Sequence, residues 1–225
     1  MIVVVGGIKG GSGKTTVSTN LAILRAEAGH RVLLIDADDQ ETASDFSALR
    51  DEKRVGGSGY VCIKLTGPSV RTETQKLKTS FDDIIIDTGG RDTTSQRAAL
   101  SVADILLVPF VPRSFDVWTL EKVAGLVEEM RVVNSDLKAY AFINRADPRG
   151  VDNEEAAEVL RETPTLEFVD APLGTRKAFS NAAAHGLSVI ELKNQDSKAT
   201  EELQNLANFI FGAMVTTKRR KAVGA

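Results

Sequence analysis

Apolar runs of strand length alternate with longer stretches of helical periodicity along most of the chain. The runs fall at residues 2–5, 32–35, 60–65, 84–86, 105–108 and 139–143. They are rich in Val and Ile and mostly apolar at consecutive positions, the pattern of strands covered on both faces. After the first run, Val17, Leu21, Leu24 and Ala28 stand at i, i+4, i+7 and i+11, on one face of a helix. Gly29 follows where a left-handed C-terminal stop belongs. Further helices are expected over 42–52, 69–79, 93–103, 114–133, 153–161 and 175–184. A last one over 197–214 carries Leu203, Leu206, Ile210 and Met214 on one stripe. This alternation predicts an α/β fold: a doubly wound, mostly parallel sheet flanked by helices. The glycines at 56, 57 and 59 read as a flexible break, and 147–150 as a surface turn. One domain is expected over 1–217, with the basic KRRK run at 218–221 opening a short disordered tail over 218–225.

Composition narrows the classes. A chain of 225 residues can bury one sizeable core without disulfides or metals to staple it. With 28 basic and 31 acidic residues the net charge is -3, so no bulk positive field recruits nucleic acid. Contact with DNA would need a local patch. Cys62 is the only cysteine. That excludes an intrachain disulfide, a four-cysteine zinc site and a metal cluster held by one chain, and Cys62 reads as a buried thiol. No apolar run reaches membrane-spanning length, and the N-terminus lacks the basic start of a signal peptide. A cytoplasmic protein without integral membrane association is expected.

The chemistry begins directly after the first strand, at Gly6-Gly7-Ile8-Lys9-Gly10-Gly11-Ser12-Gly13-Lys14-Thr15-Thr16. Glycines let backbone N–H groups turn inward around a phosphate chain, and the following helix adds its positive end. In this pattern Lys14 reaches the β- and γ-phosphates and the Thr15 hydroxyl ligates Mg2+. A dinucleotide fingerprint fails, because Thr16 stands where its third glycine belongs. The usual phosphate loop fails at one position, with Ile8 in place of its first glycine. The sequence that does fit is Lys-Gly-Gly-x-Gly-Lys-Thr-Thr, with a second lysine at Lys9. On these residues the chain resembles the deviant-Walker ATPases of the ParA/MinD type, over residues 1 to about 215. The resemblance implies a P-loop fold, ATP and ADP as ligands, and an ATP-sandwiched homodimer in which Lys9 reaches the partner's phosphates. A cation supplied in trans stabilises charge on the phosphoryl oxygens, as an arginine finger does. Nucleotide contacts are expected from Gly10, Gly11, Ser12, Gly13, Lys14, Thr15 and Thr16.

Two apolar runs end in acids, and ligands in a doubly wound sheet sit at the carboxyl ends of its strands. Asp36 and Asp38 close the second run and should point toward the phosphates. They match the acids of the family's Asp-x-Asp-Pro switch. The resemblance implies that Asp36 acts near Mg2+ through water and that Asp38 orients or deprotonates the attacking water. Asp39 replaces the common proline, a departure that loosens the switch. Asp87 ends the run at 84–86 and is placed to hold the metal, in the manner of a Walker B acid. Gly89 and Gly90 follow where many family members have proline, which implies a mobile second switch. Asp82 and Asp83 precede the strand and are expected to be solvated.

Fainter signals complete the reading. Asn144 ends a later strand, where related nucleotidases bond the adenine ring, and Pro172, after the next strand, is a candidate to flank the base. Arg176 and Lys177 lie in a region that resembles the DNA-contacting late helix of ParA proteins. The resemblance points to a small ParA-type partition ATPase that starts directly at its Walker loop, with no helix-turn-helix domain. Its expected partners are non-specific nucleoid DNA and a small centromere-binding adaptor. The alternatives are a MinD-type membrane-cycling ATPase, a protein-cluster-positioning ATPase and a metabolic enzyme on the same scaffold. A nitrogenase iron protein is disfavoured, since each subunit would have to give two cysteines.

Overall fold

A computed structural model of the chain describes residues 1–112, 117–147, 149–194 and 196–212. Seven strands, β1 (Ile2–Val5), β2 (Val32–Ala37), β3 (Val61–Lys64), β4 (Asp83–Thr88), β5 (Ile105–Phe110), β6 (Lys138–Ala146) and β7 (Glu167–Gly174), form one sheet in the order β3-β2-β4-β1-β5-β6-β7. Every pairing is parallel. Each strand is followed by a helix: α1 (Lys14–Glu27), α2 (Thr42–Lys53), α3 (Ser69–Leu77), α4 (Thr94–Leu100), α5 (Val117–Arg131), α6 (Asp152–Arg161) and α7 (Lys177–Ala183), with α8 (Ser197–Phe211) last. A 3₁₀ turn at Val189–Glu191 joins the final pair.

Successive side chains of a strand leave opposite faces, so an unbroken apolar run feeds two cores at once. Val3 and Val5 pack with α1 and α8, through Leu21, Leu203 and Leu206. Ile2 and Val4 pack on the other face with Leu100, Val123 and Leu160, from α4, α5 and α6. The expected α8 stripe is buried as far as Ile210; Met214 and the basic tail lie outside the described residues. At the end of α8, the Phe211 ring sits 4.5 Å from the Arg25 guanidinium, which donates to Asp83 at 2.7 Å.

Several expectations change. Asp83 is not solvated: it is the first residue of β4, 3 % exposed, and paired with Arg25. Asp82 is exposed, as expected, and grips Arg31. The run at 60–65 is not covered on both faces, because β3 is an edge strand with exposed positions. Cys62 is accordingly only half-buried. The glycine-rich segment after α2 is not a free break. Ser58 is buried there, its N–H donating to Asp51 at 2.6 Å and its carbonyl accepting from Arg50 at 2.8 Å. The helix expected over 175–184 starts at Lys177, since Arg176 is extended. Gly29 does take the left-handed stop, with φ +93°. Among the described residues no helix is long and apolar enough to cross a membrane.

Candidate functional site

The glycine loop joins β1, at the centre of the sheet, to the N-terminus of α1. Gly13 caps that helix in the left-handed conformation, φ +89°, without a side chain to offer its first turn. The first-turn N–H groups therefore lack a side-chain acceptor, and no acid occupies that turn. A helix start of this kind is an anion site. A cleft of about 630 Å³ opens in front of it. Gly10, Gly11, Gly13, Lys14, Thr15 and Thr16 line one wall, and Asp38, Gly89 and Gly90 face them.

Lys14 is 6 % exposed and donates to the Lys9 carbonyl at 2.9 Å, tucked beneath the loop. Burial pulls its ammonium below the ordinary lysine range, while Asp87 and Asp38 pull it back up.

The acids arrive by register. β2 and β4 each run past their apolar stretch, so Asp36 and Asp87 lie inside the strands and face each other across the ladder. Both are wholly buried. Asp36 accepts from Asp38 N at 3.2 Å and from Ser44 N at 2.7 Å, so it caps α2, whose own N-cap residue Glu41 offers no side chain. Asp87 accepts from the Ser18 hydroxyl at 2.9 Å through Oδ1. Its Oδ2 has no partner among the described residues. Burial pushes the Asp87 carboxyl up to about 7, opposed by the nearby Thr15 and Ser18 hydroxyls, and Asp36 raises it further. A buried carboxylate with one idle oxygen, held by a serine hydroxyl, suits a hard divalent cation. Thr15 and Asp87 thus fit Mg2+, with Asp36 alongside.

Asp38 is half-buried, and its Oδ1 accepts Gln40 N at 3.2 Å. It lies against Gly89: a Cβ there would stand 3.0 Å from Asp38 Oδ1. Gly90 is tighter still, since its Cβ would stand 2.6 Å from the Gly10 backbone. The expected second switch thus rests directly on the phosphate loop.

Other expected residues land elsewhere. Asn144 reaches the site, 6 % exposed, but its amide donates to Ser12 O at 2.6 Å and abuts Gly13. Pro172 lies within β7, not after it, and lines a separate cavity of about 110 Å³ with Asp147 and Arg176. The Arg176 guanidinium is bonded to Glu202 at 2.6 and 2.9 Å. Lys177 is exposed, on the first turn of α7.

Three groups at the site had no sequence signal strong enough to single them out. Gln96, wholly buried on α4, accepts from Gly7 N at 3.3 Å and from Thr88 Oγ1 at 2.9 Å, tying the loop to β4. Asn20 donates to Thr16 O at 2.7 Å and accepts from Ser188 Oγ at 2.7 Å. Arg145 lines the cleft with φ +55°, a conformation that costs a side chain of this size about 1–3 kcal/mol.

Comparison with known proteins agrees with this geometry. A model of the CobQ/CobB/MinD/ParA nucleotide binding domain matches residues 3–189. The chain belongs to this family. As a member it is a P-loop ATPase of the ParA/MinD type. It is 31 % identical over 197 residues to the Maintenance of carboxysome distribution protein A of Gloeobacter kilaueensis, covering 86 % of this chain and 85 % of that one. The protein of the same name in Halothiobacillus neapolitanus is 26 % identical over 214 residues, covering 92 % and 94 %. The fold matches an ATP complex of Cyanothece McdA with TM-score 0.78 at 18 % identity, over 94 % of this chain and 96 % of that one.

Proposed function

We propose that this ATPase is a ParA-type positioning switch: ATP closes two copies into a dimer, the dimer holds non-specific DNA, and partner-stimulated hydrolysis releases it. The observation that supports the reading is the meeting of Lys14, Asp38 and Asp87 around one helix N-terminus, with Lys9 in the glycine loop that leads into it. The triphosphate lies along the first turn of α1, held by its N–H groups and by Lys14. Thr15 and Asp87, with Asp36 through water, hold Mg2+, which when bound neutralises phosphate charge. Asp38 orients the attacking water. Lys9 supplies the cation that the partner subunit's phosphates need in the transition state, an effect worth about 10³–10⁵ in rate when an arginine does it. Gly90, seated on Gly10, and Gly89, seated against Asp38, sense whether the loop is filled.

DNA contact falls to the dimer rather than to the acidic chain as a whole, with Lys177 the exposed candidate. Arg176, spent on Glu202, contributes only if that pair opens. The cargo is a plasmid or chromosomal locus, addressed through a small centromere-binding adaptor, and the ATP-bound form is nucleoid-associated. Similarity to proteins named for carboxysome distribution supports a second reading, in which the same cycle positions a protein assembly.

Light scattering with a non-hydrolysable ATP analogue tests the switch. The wild type should form a dimer, and Asp38→Ala should hold the dimer with ATP itself while turnover falls to background. Lys9→Ala should bind nucleotide as a monomer yet lose hydrolysis. A protein that stays monomeric when saturated would falsify the switch. Pull-down with adaptors encoded beside the gene separates the cargoes: a DNA-binding adaptor supports a locus, an adaptor bound to a protein assembly supports the second reading.

A further inference from the structure

We propose that Arg145 is the nucleotide's base-end contact, its guanidinium lying against the purine; the inference rests on the cleft being the nucleotide site. Asp38, Gly89 and Gly90 mark one end of the cleft, beside β2 and β4 and the Asp87 carboxylate. Arg145 marks the other, beyond Gly13 and Thr16, at the end of β6. From β2 to β6 the sheet order takes four steps, about 19 Å at the usual strand spacing. A phosphate chain held on α1 fills only the half nearest Asp87. The half toward β6 is left for sugar and base.

The backbone at Arg145 is fixed at both ends of the residue. Its N–H donates to the Asn144 side chain at 3.0 Å, and its carbonyl accepts from Thr175 Oγ1 at 2.8 Å. That clamp holds a left-handed conformation that glycine would adopt without strain. Strain kept where glycine would be cheaper points to a use for the side chain. The Arg145 side chain is exposed, and among the described residues its guanidinium has no acid or carbonyl partner. Arg25, Arg50, Arg54, Arg97 and Arg176 are all spent on carboxylates. The phosphates already have Lys14 and the first-turn N–H groups, and the other guanidinium in the lining, Arg91, follows Gly90 at the opposite end of the cleft; among the described lining residues Arg145 is the flat cationic face at the β6 end. A guanidinium plane stacks on aromatic faces.

Calorimetry with ADP, ribose diphosphate and inorganic pyrophosphate reads the contact. Arg145→Gly removes the side chain and the strain together, so it should melt no lower than the wild type. It should bind ADP roughly 3- to 30-fold more weakly while keeping its affinity for the two base-free ligands. Arg145→Gln keeps the backbone strain and should show the same loss for ADP. Unchanged ADP affinity in both variants overturns the proposal, and so does an equal loss for pyrophosphate or ribose diphosphate, which would make Arg145 a phosphate or sugar contact. Lys14→Ala serves as the control and should weaken all three ligands. If it weakens none, the cleft reading falls and this inference falls with it.

Discussion

Asp87 is wholly buried with one oxygen bonded to Ser18 and the other idle, an arrangement that costs stability until a cation is present. Asp87→Asn removes the buried charge and keeps an acceptor for Ser18. We expect the nucleotide-free variant to be more stable by at least about 1 kcal/mol, and Mg2+ with ATP to protect it far less than the wild type. Thermal melts with and without ligand check both statements. The phosphate-loop residues and Asp36, Asp38 and Asp87 were legible in the sequence, because their chemistry is tied to fixed spacing around one turn. Asn144 was legible only as a residue ending a strand, and Arg145 beside it carried no signal of its own. Which of them meets the loop depends on the positive φ of Arg145 and on Ser12, in the loop after β1, and neither leaves a mark in the local pattern. Asp83 was misread for a related reason: its partner Arg25 sits on a helix distant in sequence.

At the scale of elements, the loop after β4 and the loop after β1 share a backbone contact that tolerates no Cβ at Gly90. Gly90→Ala must push the two loops apart, at about 1–3 kcal/mol for an overpacked contact, and should lower both nucleotide affinity and turnover. Gly10→Ala, across the same contact, has open space within 4 Å and should fold with unchanged stability. Urea denaturation and nucleotide titration of the two variants separate a packing defect from a general intolerance of side chains in the loops. The apolar runs revealed the strand cores but stopped short of their functional ends, because Asp36 and Asp87 continue strands whose apolar signal has already ceased. β7 was the faintest strand, since it alternates buried and exposed positions at the edge of the sheet.

Across the whole molecule, the two cores on either face explain why fold class was readable from periodicity alone, and why polar cross-links were not. Arg50, 1 % exposed on α2, bonds Ser58 O, Gly186 O and Glu191, drawing segments far apart in sequence into one network. Near it, burial pushes the Tyr60 hydroxyl up to about 12 from 10.0, while its bond to Ser47 opposes the shift. The folded protein keeps this proton where the unfolded chain releases it. Stability from Tyr60 is therefore intact below pH 10.0 and lost as pH rises toward about 12. Tyr60→Phe should flatten that alkaline decline, at a cost of about 1 kcal/mol at neutral pH for the missing hydrogen bond. Denaturation midpoints across the two pH values measure the difference.

The facing of Asp36 and Asp87 has one more consequence. Their separation is set by the ladder between two central strands, the stiffest ruler a protein owns, and not by the rotamers of either side chain. The switch proposed above would require the loops beyond them to move while this pair stands still. A one-residue slip of either strand would turn one carboxylate to the opposite face.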